Sequence, residues 1–90
     1  GVSIDQAKKL LSWNEIDGST SYGVEIEDVE GSRGWEEETY STTYNYEALL
    51  NDVKKEWNLN SNSKVRIIIT AYKSFNDDDE ITLAKFKSTV

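Results

Sequence analysis

Two clusters in this chain bring together side chains capable of chemistry. Glu36-Glu37-Glu38 sets three carboxylates in a row, with Trp35 directly before them and Tyr40 two residues after. Paired carboxylates are the working groups of glycosidic acid–base chemistry. Successive residues of a strand point to opposite faces, however, so these neighbours cannot act as a pair, and a solvated strand edge is the plainer reading. The two rings suggest something else. Planar aromatics stack on the apolar faces of sugars while flanking carboxylates bind hydroxyls, which makes Trp35 and Tyr40 the candidate ligand-binding residues. Ordinary cross-strand packing at a sheet edge is the competing reading.

The second cluster, Asp77-Asp78-Asp79-Glu80, has the oxygen ligands calcium prefers. It lacks the alternate-residue ligand spacing and sixth-position glycine of a calcium loop, so it predicts a hairpin turn and no metal site. The chain has no histidine and no cysteine. That removes the commonest general base, the thiolate nucleophiles and the usual zinc ligands together, and with them any disulfide. The composition points away from an enzyme, and no cofactor is expected.

Charge is distributed unevenly. Between residues 15 and 47 ten carboxylates face the single Arg33, and the whole chain carries a net charge of −7. Such a field repels phosphate backbones and anionic lipid, so nucleic-acid and membrane-surface partners are disfavoured while cationic ones stay open. Acidic strand faces also keep a sheet soluble and discourage edge-to-edge pairing. Lys8-Lys9 and Lys54-Lys55 are too sparse for a nucleic-acid patch. No apolar run approaches the roughly 18 residues that a membrane helix needs, so no membrane insertion is expected.

The elements that position these residues follow from periodicity. Apolar residues alternate with polar ones at Leu11 and Trp13, at Tyr22, Val24 and Ile26, at Tyr44 and Tyr46, and at Val65, Ile67, Ile69 and Ala71. Period two is the mark of strands burying one face. The pattern predicts strands over residues 2 to 4, 7 to 14, 22 to 28, 35 to 40 (polar, at an edge), 42 to 49, 64 to 75 and 81 to 89. Between residues 49 and 59 the period changes: Leu50, Val53 and Trp57 recur at three and four, the stripe of a short amphipathic helix. A helix this short is marginal alone and must dock Val53 and Trp57 on the sheets. Trp13 and Trp57, each on an apolar face, are expected in the core. Ninety residues suit one domain spanning the chain, and 37 % apolar content fills a two-layer core, which argues against disorder.

These motifs together resemble a fibronectin type III module. A core tryptophan sits in that family's second strand, matched by Trp13; a Tyr-x-Val run forms its third, matched by Tyr22 and Val24. Tyr44-Asn45-Tyr46-Glu47-Ala48-Leu49 has the outline of the run closing its fifth, and Ile67, Ile69 and Ala71 follow its sixth. Val65 stands where the family has the tyrosine of the "tyrosine corner", whose hydroxyl pins the loop between strands five and six. The family's short link there is replaced by residues 50 to 63, and the chain has no proline. Gly31-Ser32-Arg33-Gly34 occupies a hairpin loop where some relatives carry adhesion tripeptides, but Trp35 follows where aspartate would be needed.

The resemblance implies an all-β fold, a seven-stranded antiparallel two-sheet sandwich with a short helix inserted between strands five and six. It also implies a non-catalytic module excised from a larger multidomain protein, secreted or on the cell surface. The absence of Asn-x-Ser/Thr acceptors favours a bacterial source. Expected partners are neighbouring domains of the parent, another protein or a glycan. The module would serve as spacer or protein-interaction domain, including beside carbohydrate-active enzymes. The alternative is a carbohydrate-binding module using Trp35 and Tyr40.

Overall fold

A computed structural model describes residues 1 to 76 and 79 to 90. Seven strands and one helix run in the order β1 (Val2–Asp5), β2 (Leu10–Trp13), β3 (Ser21–Asp28), β4 (Gly34–Thr39), β5 (Thr43–Asn45), α1 (Glu47–Glu56), β6 (Val65–Ser74) and β7 (Glu80–Thr89). They form two antiparallel sheets, one of three strands in the order β1-β2-β5 and one of four in the order β4-β3-β6-β7. The polar β4 lies at a sheet edge, where few of its residues need burial.

Alternation places the core. On β3, Tyr22, Val24 and Ile26 stand opposite Ala71, Ile69 and Ile67 of β6, and all six are buried. Leu11 and Trp13 of β2 join them from the other sheet, as do Leu49, Leu50 and Val53 from α1. The Trp13 and Tyr22 rings meet edge to face, with centroids 5.4 Å apart and planes at 65°. That geometry sets the positive edge of one ring on the negative face of the other. Leu10, on the opposite side of β2, is exposed.

Three predicted spans are corrected. The second strand starts at Leu10 rather than residue 7, because residues 6 to 9 form a turn. Asp5 Oδ1 accepts the Lys8 amide at 3.0 Å there, and Lys9 adopts a φ of 57°. The strand predicted over residues 42 to 49 stops at Asn45, whose side chain takes the Glu47 amide at 3.0 Å and turns the chain into α1. Tyr46 and Leu49 therefore reach the core with the helix. Their spacing of three already fits its stripe of Leu50 and Val53.

The predicted helix of residues 49 to 59 is accordingly shifted to Glu47–Glu56. Glu47 in its first turn and Lys54 and Lys55 in its last complement the helix dipole. It ends where Asn58 takes a φ of 54°, with Asn58 N–H donating to Lys55 O and Leu59 N–H to Lys54 O. This is the Schellman pattern, closed by asparagine in place of glycine. Val53 is wholly buried, while Trp57 is half-buried at the rim of the core.

Asp77 and Asp78 lie outside the described residues, so the metal-or-turn question for residues 77 to 80 falls partly there. Of its neighbours, Asp79 donates its amide to Asn76 Oδ1 at 2.9 Å and its carbonyl accepts the Phe75 amide at 2.9 Å.

Candidate functional site

Trp35 and Tyr40 are both on the surface, 41 % and 76 % exposed. Trp35 pairs with Ile26 and so shares the core-side face of the sheet with Glu37, whose carboxylate accepts its indole N–H at 3.0 Å. Tyr40 follows the strand on the side of Glu38, to which its hydroxyl donates at 2.9 Å. That hydrogen bond raises the Tyr40 hydroxyl's pKa. Tyr40 lies in the bend just beyond Thr39, where β4 ends, and each ring is held by its own glutamate, with no ring contact between the two among the described residues.

The outward face of the four-stranded sheet is where Glu36 works. It accepts the Tyr72 hydroxyl at 2.7 Å, and Gly23 leaves the room, since a Cβ there would strike the Glu36 carboxylate and the Tyr72 ring. Burial first, then Glu36, pushes the Tyr72 pKa up to about 12. Beside them burial raises the Glu25 pKa, reinforced by Glu27 and Glu36 and opposed by Lys85 and Lys87. Glu27 is engaged by Arg66.

The loop after β3 is organised around Asp28. Its carboxylate accepts the Ser32 amide at 2.8 Å, the Ser32 hydroxyl at 2.7 Å, the Arg33 amide at 3.3 Å and Arg33 Nε at 3.0 Å. The Ser32 hydroxyl and Arg33 hold its pKa far below the usual carboxylate range, against the opposing effect of burial. Gly31, at a φ of +75°, lets the loop close so that its amide reaches Asp28 O. Arg33 then spans to the helix: its guanidinium lies 5.1 Å over the Trp57 ring and donates to Trp57 O at 3.3 Å. The residues that an adhesion motif would occupy thus brace the loop against the end of α1.

An apolar pocket of about 160 Å³ opens between the sheets along the side bounded by β1 and β7. Val2 and Trp13 wall it on one sheet, Ile69, Ala71, Ala84 and Phe86 on the other. Ala71 and Ala84 stand opposite each other, and two small side chains at one register position leave the space. Trp13 is 8 % exposed, and its indole Nε1 is buried with no hydrogen-bond partner among the described residues. Sequence reasoning assigned Trp13 to the core only, and passed over Ala84, Lys85 and Phe86. Their sole signal was a strand mixing lysine with apolar residues. The walls of this pocket are mostly apolar, an arrangement suited to holding an apolar group rather than to moving a proton.

Comparison of the chain with protein-family models, with curated proteins and with solved structures finds no match.

Proposed function

We propose that this chain is a fibronectin type III-like β-sandwich module, non-catalytic, serving as spacer or protein-interaction domain in a larger secreted or cell-surface protein. The strand orders β1-β2-β5 and β4-β3-β6-β7, and the second-strand tryptophan packed on the third-strand tyrosine, support the fold reading. The helix departs from that family, and its Leu50 and Val53 join the same core as Val65, which stands in the tyrosine corner's place.

One observation carries the functional reading. The groups of the Trp35–Tyr40 cluster are committed to partners within the chain, Trp35 to Glu37, Tyr40 to Glu38 and Glu36 to Tyr72, as Asp28 is to Ser32 and Arg33. Such pairs hold a surface in shape. The exposure of Trp35 and Tyr40 favours the carbohydrate-binding alternative, whereas each ring is tied to its own glutamate and Tyr40 lies beyond the end of β4.

Titration of the isotope-labelled chain with a panel of soluble glycans separates the readings. The module reading expects no selective shift at millimolar concentration. Selective shifts of Trp35 and Tyr40, abolished by Trp35→Ala at an unchanged Tm, would replace it with the sugar-binding reading.

A further inference from the structure

Resting on the module reading, we propose that the seam between β1 and β7 docks an extended segment of a partner protein. The segment alternates acidic with apolar residues and adds a strand to the free edge of β7. Three observations converge on that chemistry. First, among the described residues β7 is hydrogen-bonded as a strand to β6 alone, and it is ten residues long. Its outer edge thus offers an unpaired row of main-chain donors and acceptors. Second, Lys85 and Lys87 stand opposite Thr70 and Ile68 and so share the outward face two residues apart. Neither is in an ion pair among the described residues. A strand laid alongside would set every second side chain against them. The net charge of −7 opposes an acidic partner at long range, so only carboxylates that reach these lysines gain.

Third, the intervening positions of that strand would face the pocket of about 160 Å³ under Ala84 and Phe86. Engineered apolar cavities of about 150 Å³ hold benzene, so one apolar side chain has room.

The probe is a capped heptapeptide alternating glutamate with leucine, titrated into the labelled chain, with lysine replacing glutamate in the control. The proposal expects selective shifts of the Trp13 indole N–H and of amides 82 to 88, with at least tenfold weaker binding of the lysine control. Lys85→Glu combined with Lys87→Glu should invert that preference. Ala84→Leu, filling the pocket, should weaken the glutamate peptide at least tenfold. The lysine variants, at exposed positions, keep the test decisive if Ala84→Leu unfolds. Equal binding of both peptides, shifts confined to β4, or no shift at millimolar peptide would overturn the proposal. So would Trp13 and β7 signals that move with protein concentration alone, which would assign the seam to a second copy. A null peptide result leaves the spacer reading standing, whereas selective glycan shifts at Trp35 and Tyr40 would remove the module reading and leave the peptide result unaffected.

Discussion

The loop after β3 and the seam between β1 and β7 border the same core and treat their polar groups in opposite ways. In the loop, Asp28 collects four hydrogen bonds, and Arg33 ties the carboxylate to the indole and carbonyl of Trp57. At the seam, Trp13 keeps its ring in the core and its Nε1 without a partner, beside a pocket left by Ala71 and Ala84. A buried donor without an acceptor is costly, and close-packed interiors rarely keep voids. The difference teaches that the loop end is closed by hydrogen bonds within the chain, whereas the seam keeps an open apolar pocket and a buried donor with no acceptor among the described residues.

The largest expected effect lies at the seam. Trp13→Ala removes the ring that joins the sheets and should cost about 3–5 kcal/mol in urea melts, enough to unfold much of a small domain. A loss below about 1 kcal/mol, the scale of surface changes, would mean that the seam is not part of the core.

Next comes the helix behind the loop. Val53→Ala empties a fully buried site and should cost about 2 kcal/mol. In the unaltered chain, amides 52 to 57 should exchange slowly and Trp57 emission should be blue-shifted, because a short free helix protects neither. Rapid exchange there would erase the contrast by opening the loop end as well.

The loop itself should show in acid. The Asp28 pKa is lowered in the fold, so its contribution to stability is complete above the ordinary carboxylate value of 3.8 and is lost as pH falls below it. Asp28→Asn should lower the melting temperature at pH 7 and flatten the fall of stability below pH 4. Equal acid slopes for the two proteins would show that the Ser32 and Arg33 hydrogen bonds do not organise the loop in solution.

The smallest effect serves as control for both regions. Trp35→Ala, on the far edge of the four-stranded sheet, should cost about 0.2–1 kcal/mol through lost cross-strand packing. A larger loss would make β4 part of the core and reduce the contrast to one of degree.

Periodicity was enough to find the seven strands, the helix between the fifth and sixth, and the burial of Leu11, Trp13, Val24, Ile26 and Ile69, because one-sided burial imposes period two on a strand and a spacing of three and four on a helix that shares a core. It blurred the start of α1, since Tyr44, Tyr46 and Leu49 satisfy both periods until the Asn45 side chain captures the Glu47 amide. The edge position of Trp35 was readable from its polar strand, but the glutamate that each ring holds was not.

What only the tertiary structure decided are the meetings of residues distant in the chain: Arg33 over Trp57, Tyr72 on Glu36, and Trp13 beside Ala71 and Ala84. Residue types and local periodicity set which face each strand buries. Whether a buried face is then filled, paired or left open depends on which strand lies across from it, and that follows from the packing of the whole chain.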